Sequence, residues 1–387
     1  MGLSFDIGII GAGIQGAGVA QAAVAAGYSV VVWEQTAIAS GTSSRSSKLI
    51  HGGLRYLESG QLSLVRKSLL ERELLLKNAP SLVKPVPFYI SVYPSTKRRS
   101  WQIRLGLSLY AVLGNLKKYA CFKKVDSIYL AEKDGLRTDG LQSLFQYWDA
   151  QTDDVALTKA VMKSAQMLGA KIYCPARVMA VKQVNGGYQV RIDQDGEEKE
   201  FFCKTIVNAA GPWVNKVLDI VEPPITKINI DLVQGTHIVV DDEAPSGIYY
   251  VEAPQDRRAV FVMPWQGKTM IGTTECAFNG NDPKEVKPHQ DEIEYLQQVY
   301  HHYFPQRRGK LVDVFAGLRV LPKQENNFFH RSRDTVIHID PSQPGLLILY
   351  GGKLTGYRAT AEEVVENLKS VLPGKDRVAS TKALVLN

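Results

Sequence analysis

The sequence predicts an α/β protein in two parts, a parallel helix-flanked sheet and a second domain built on an antiparallel β-sheet, and three observations predict it. The chain opens on a strand, a glycine turn, a helix and another strand over residues 5–34; two later apolar strands, at 205–213 and 345–350, run into glycine turns of their own; and β-rich segments separated by turn residues fill 235–274. The length of 387 residues allows two or three domains at roughly 100 to 200 residues each. Hydrophobic residues make up 45% and charged residues 22%, the balance of a globular chain able to bury a core. A disordered or fibrous chain is excluded.

Residues 5–10 are apolar, 11–16 read GAGIQG, 17–26 are small and helical, and 29–34 read SVVVWE. In such a Rossmann-like unit Gly11 permits the tight turn, Gly13 lets the backbone approach a pyrophosphate, and Gly16 lets helix and strand pack closely. The helix N-terminus offers amides to the phosphates. Glu34, ending the second strand, can accept hydrogen bonds from a ribose 2′-hydroxyl and would repel a 2′-phosphate, which leaves NAD or FAD. The 205–213 segment, TIVNAAGPW, runs into Gly211 in the style of the second dinucleotide-contacting strand of FAD proteins. GLLILY at 345–350 leads through Gly351-Gly352-Lys353 into a helix over about 355–371, which resembles the way two-domain flavoproteins aim a late helix N-terminus at the flavin ring. On that resemblance the cofactor is FAD, held by a discontinuous domain of residues 1–80, 150–225 and 341–387.

The substrate-binding domain is expected over 81–149 and 226–340. Its antiparallel sheet would use 235–242, 248–253, 259–264, 268–274 and 335–340, with a helix from 287 to 303 where Ile293, Leu296, Val299 and Tyr300 recur at helical spacing.

Charge and cysteine usage narrow the function classes. The 46 basic and 39 acidic residues give +7, which suits an anionic substrate or surface. The excess is local: no acidic residue lies between Glu73 and Asp126, while Lys97, Arg98, Arg99, Arg104, Lys117 and Lys118 bracket an apolar run at 97–118 that suits the interface of an anionic bilayer. No nucleic-acid module accompanies the charge, so nucleic acid is not an expected partner. Four dispersed cysteines without a CxxC pair argue against a metal site or a disulfide framework and fit a reducing compartment. No secretion signal, myristoylation pattern or membrane-spanning run of about 18 residues is visible, so membrane contact should be peripheral.

Residues 42–58 read TSSRSSKLIHGGLRYLE, and with GTHIVV at 235–240, IGTTE at 271–275, AGLRV at 316–320 and GGKLTGYR at 351–358 the chain resembles the respiratory, FAD-dependent glycerol-3-phosphate dehydrogenases over nearly its whole length. The resemblance implies oxidation of sn-glycerol 3-phosphate to dihydroxyacetone phosphate by hydride transfer from C2 to FAD, with electrons passed to membrane quinone. It implies a cytoplasmic enzyme peripheral to the inner face of the membrane, and it admits a homodimer. Arg55, Arg319 and Arg333 fall in matching stretches and suit phosphate, because a guanidinium donates in pairs; Tyr56 belongs with them. His51 and His237 are the candidate proton acceptors, with Arg319 an alternative holder of the alkoxide. Lys353 would stabilise reduced flavin, Thr273 and Thr355 would bond flavin or substrate, and Thr42, Ser43, Ser44, Ser47 and Lys48 would line the flavin cleft. The family pattern continues into a helical C-terminal domain, whereas this chain stops at Asn387, and Val320 follows Arg319 where the family commonly has proline. The rivals are an amino-acid or amine oxidase of the same fold, a flavin protein that no longer catalyses, and an oxidase that passes electrons to O₂.

Overall fold

The computed structural model describes residues 3–126, 129, 133–323 and 334–387. Its first sheet is parallel at the centre. Leu3–Ile10 runs between Val30–Trp33 and Glu197–Asn208, in register Ile7↔Val30 and Ile9↔Val207. Lys171–Tyr173 extends the sheet beyond Val30–Trp33, and Leu346–Tyr350 joins the C-terminal end of Glu197–Asn208 at Asn208↔Ile348. Because Glu197–Asn208 is long, its N-terminal half also pairs with the antiparallel meander Arg177–Val184 and Gly187–Gln194.

Helix Ile14–Ala25 lies on this sheet beneath helices Asp154–Met167 and Tyr357–Leu368. Every residue in it except Gln15 is buried, which explains its alanine and glycine content: a helix crowded on all sides has room only for small side chains. A Cβ on Gly18 would fall 2.7 Å from the Tyr357 ring.

The second sheet is antiparallel except at one junction, where Ile248–Glu252 runs parallel to Val83–Val92. Ile230–Val240 pairs with Leu311–Pro322 along its whole length and with Lys268–Gly272 on the other side, while Val83–Val92 and Ser143–Thr152 pair over ten positions. Leu49–Ile50 adds to Ser143–Thr152, so the TSSRSSKLIHGG segment crosses from the first sheet to the second. The expectation for 335–340 is corrected. Val336–Ile339 pairs with Leu346–Tyr350 and belongs to the first sheet, because its partner follows it by a short turn.

Candidate active site

A cleft of about 610 Å³ opens where the glycine turn, residues 40–51, the Leu311–Pro322 strand and the Gly351-Gly352-Lys353 turn meet. Its nucleotide end is built from backbone approach. Gly11 has φ +102° and stands so close to the neighbouring strand that a Cβ would lie 2.7 Å from the Ala209 carbonyl. Gly16 does not line the cleft; a Cβ there would strike the Gly11 carbonyl, so it serves the turn by packing. The Glu34 carboxylate accepts from the Ala12 amide at 2.9 Å and from the Thr36 amide at 2.9 Å, which fixes it beside the turn. The Ser43 hydroxyl accepts from the Ile14 amide at 2.9 Å, and the Thr42 hydroxyl donates to the Leu318 carbonyl at 2.7 Å. Ser44 and Lys48 differ from expectation. Ser44 turns its hydroxyl back to the Gly41 carbonyl, and Lys48 is 4% exposed, its ammonium taken by Asp154 at 2.6 Å and the Ser44 carbonyl at 2.6 Å. A lysine that close to a buried carboxylate cannot also reach the cleft.

At the other end, cations collect around Tyr56. The Lys353 ammonium stands 4.1 Å from the Tyr56 ring centroid and the Arg55 guanidinium 5.2 Å from it. Arg319 lies within electrostatic range of both Arg55 and Tyr56; burial lowers its pKa, with Glu275 opposing and Arg55 adding to the shift. The Arg319 guanidinium donates to Glu275 at 2.7 Å and to the Thr273 hydroxyl at 3.4 Å. The Thr355 hydroxyl accepts from the His51 amide at 3.2 Å, which ties the Gly351-Gly352-Lys353 turn to the 42–58 segment and brings Lys353 and His51 to one wall. Gly211 lines the same cleft. Arg333 lies outside the described residues.

The two histidines separate. Both line the cleft, His51 half-buried and His237 from within the second sheet. His237 is fully buried, stacked on Phe315 at 4.9 Å, and its Nε2 is hydrogen-bonded to Ser47 at 2.9 Å. Burial, with Arg319 and Lys48 nearby, pushes its pKa down to about 3, so the ring is neutral. Three neighbouring strands align His237, Gly272 and Phe315, and only glycine fits at 272, since a Cβ would lie 2.2 Å from the imidazole.

Sequence reasoning passed over several residues that shape this cleft. Gln15 sits inside the glycine motif, and neither its amide nitrogen nor its carbonyl oxygen has a partner among the described residues although both atoms are buried. It faces Gly352, φ +118°, where a Cβ would lie 2.3 Å from the Gln15 nitrogen. Asp154 is fully buried and holds Ser46 and Lys48; the paired aspartates opening its helix were the legible sign. Behind the His51 wall, the Gly52 amide donates to the Tyr110 hydroxyl at 2.9 Å, Tyr110 donates to Asp149 at 2.7 Å, and Arg72 donates to Asp149 at 2.6 Å. Cys276, His289 and Glu292 bring possible ligand atoms within 4.8 Å of one another. That carboxylate already accepts from Gln234 at 2.6 Å and from the His289 amide at 3.1 Å.

The residues present fit FAD: a glycine turn that admits a pyrophosphate, a carboxylate at the ribose position, and an unpartnered buried amide at the junction of two glycine turns. Fold and cleft thus define a two-domain flavoprotein oxidoreductase, and a family model described as FAD dependent oxidoreductase matches residues 6–358. The chain is 37% identical to D-erythritol 1-phosphate dehydrogenase of Brucella abortus, over 95% of this chain and 74% of that one. It is 35% identical to glycerol-3-phosphate dehydrogenase of Pseudomonas aeruginosa, over 98% and 77%. The FAD complex of glycerol-3-phosphate dehydrogenase from Bacillus halodurans superposes with a TM-score of 0.79 at 27% identity, over 99% of this chain and 68% of that one. The chain belongs to the FAD-dependent glycerol-3-phosphate dehydrogenase family, and its cofactor is FAD.

Proposed function

We propose that the chain oxidises sn-glycerol 3-phosphate to dihydroxyacetone phosphate, the C2 hydride leaving to FAD and the hydroxyl proton to the protein. The observation that carries the reading is the gathering of cations at one end of the cleft, where Tyr56, Lys353 and Arg319 line the wall and Arg55 lies behind it against the Tyr56 ring. A carboxylate substrate needs one such clamp; a phosphate dianion beside a developing alkoxide calls for several. FAD, when bound, supplies the hydride acceptor. Arg55 and Arg319 hold the phosphate and adjacent oxygens, with Arg333 assigned to the same group by its motif. Lys353 and Thr355 serve the flavin edge, with Thr273 steadying Arg319. His51 takes the hydroxyl proton, since the buried His237 already has its Nε2 bonded to Ser47 and its ring stacked on Phe315, and burial pushes its pKa down.

The substrate part is then built on the second sheet and packs against the flavin part, to which Val336–Ile339 belongs. D-erythritol 1-phosphate is a second reading, favoured by the 37% identical relative. An anaerobic absorbance scan decides among these. Bleaching of the flavin by sn-glycerol 3-phosphate is expected, with D-erythritol 1-phosphate compared directly and glycerol and amino acids inert. Bleaching by an amino acid alone would refute the assignment.

Membrane quinone is the proposed acceptor, reached from the inner face of the membrane. Helix Ser100–Leu113 buries Leu107 and Tyr110 and exposes Trp101 (67%), Leu105 (64%) and Val112 (60%), with Leu116 (65%) just beyond it. At 3.6 residues per turn Trp101, Leu105 and Val112 share one face, and Lys97, Arg104, Lys117 and Lys118 are exposed around it. No described helix is long and apolar enough to cross a membrane. Co-flotation with anionic liposomes at low salt is expected; its absence would refute the membrane reading.

A further inference from the structure

We propose that Glu275 is a positioning residue of this reaction: it sets the orientation of the Arg319 guanidinium toward the substrate. The proposal rests on the reading of the cleft as a phosphorylated-polyol site.

The segment 273–276 is two-sided. Thr274 and Cys276 turn away from the cleft, and their side chains both reach the Glu292 carboxylate on helix Gln290–Tyr303. Thr273 and Glu275 turn the other way and meet Arg319. Glu292, 8% exposed, thus clamps one face and fixes where the other presents its groups.

Arg319 is held on three sides. Its backbone pairs with Val233 in the second sheet. One Nη donates to the Glu275 carboxylate at 2.7 Å and the other to the Thr273 hydroxyl at 3.4 Å. Gly235 closes the third side: a Cβ there would lie 3.0 Å from the Arg319 Nη2. The Glu275 side chain is 6% exposed and that of Arg319 23%, so the pair is dry on the carboxylate side and open on the guanidinium side. Glu275 itself is anchored through its backbone, whose carbonyl accepts from Arg258 at 2.9 Å. A planar fork fixed at one edge by a carboxylate presents its remaining donors in a set direction. Amide in place of carboxylate keeps the shape but loses the charge-assisted bond that sets the plane.

Charge supports the same role. Glu275 is the carboxylate that offsets the Arg319 charge at 2.7 Å, as Asp334 at 3.8 Å does for Lys353. Removing the carboxylate leaves ground-state attraction intact while loosening the guanidinium where the alkoxide develops, so the effect falls on the chemical step. A displacement of about 1 Å in such a group costs on the order of 10²-fold in rate.

The test is single-turnover flavin reduction by sn-glycerol 3-phosphate or D-erythritol 1-phosphate, whichever bleaches the wild type, followed anaerobically for hours where needed. Glu275→Gln should reduce flavin on the order of 10²-fold more slowly with substrate Kd changed less than about threefold, FAD content and Tm unchanged, and Glu275→Asp should recover most of the rate. Because Glu275 acts through Arg319, Arg319→Lys and Arg319→Lys/Glu275→Gln should reduce at rates within about threefold of each other. A wild-type rate in Glu275→Gln, independent multiplication of the two effects, or loss of FAD from both Glu275 variants overturns the proposal alone. A wild-type flavin that neither polyol phosphate bleaches overturns the reading of function and the proposal with it.

Discussion

Replacing Asp154 with asparagine should cost about 3–5 kcal/mol of stability, because it strands a buried ammonium. The Asp154 carboxylate accepts from the Ser46 amide at 3.0 Å, the Ser46 hydroxyl at 2.7 Å, the Val155 amide at 3.0 Å and Lys48 at 2.6 Å. Without it, Lys48 keeps the Ser44 carbonyl and the flanking faces of Trp265 and Phe315, each about 5 Å or more away, and no counter-charge. The reverse change is milder. In Lys48→Met the carboxylate retains three donors, so the cost should be about 1–3 kcal/mol. The double variant Lys48→Met/Asp154→Asn buries neither charge and should recover more than half of the Asp154→Asn loss. Urea unfolding of the three holoenzyme variants measures this, with FAD release as a second readout, since the same turn carries Thr42 and Ser43 to the cleft. Equal losses in the two single variants, or a double variant worse than either, would refute the reasoning.

Gln15→Leu should raise the Kd for FAD roughly 2- to 20-fold, the worth of one or two neutral hydrogen bonds, while leaving apoprotein stability unchanged or improved because two orphaned atoms disappear; fluorescence titration and apoprotein Tm check the opposed signs. Gly272→Ala should push the His237 imidazole off Ser47 and cost about 1–3 kcal/mol by overpacking, seen as a lower Tm with slower flavin reduction. Acid should weaken the fold through His237. Its folded pKa of about 3 lies below the ordinary 6.5, so between those values the unfolded chain binds a proton that the folded one refuses, and stability falls as pH falls. The slope from this group approaches about 1.4 kcal/mol per pH unit, and His237→Gln should remove it in unfolding measured from pH 7 to pH 4.

The nucleotide end of the cleft was readable because its chemistry is written in consecutive residues. GAGIQG followed by SVVVWE places Gly11, Gly13 and Glu34 through backbone geometry alone, and GGK at 351–353 does the same for the late turn. The cation-rich end was readable only in part. Arg55, Tyr56, Arg319 and Lys353 come from stretches far apart in sequence, and their motifs named them without showing that Tyr56 is their meeting point. What stayed hidden depends on pairing across elements. Whether Lys48 faces flavin or Asp154 is decided by a helix that begins more than a hundred residues later, and the separate fates of His51 and His237 are decided by burial. Val336–Ile339 was misassigned for a related reason: a short β-rich segment carries no mark of which sheet it will join, and only the strand that follows it settles the matter.

Helix Ser100–Leu113 also acts as a ruler. Tyr110, which holds the Gly52 amide, is about two and a half turns on from Trp101 and so points to the opposite side from the exposed apolar stripe. The thickness of one helix, about 10 Å, then separates whatever surface meets Trp101 from the loop that carries His51. Docking through that stripe would fix the depth of the reacting end as well as its location, and a swing of the helix would be felt both at Gly52 and at Leu54–Leu57, which carries Tyr56 to the cleft wall.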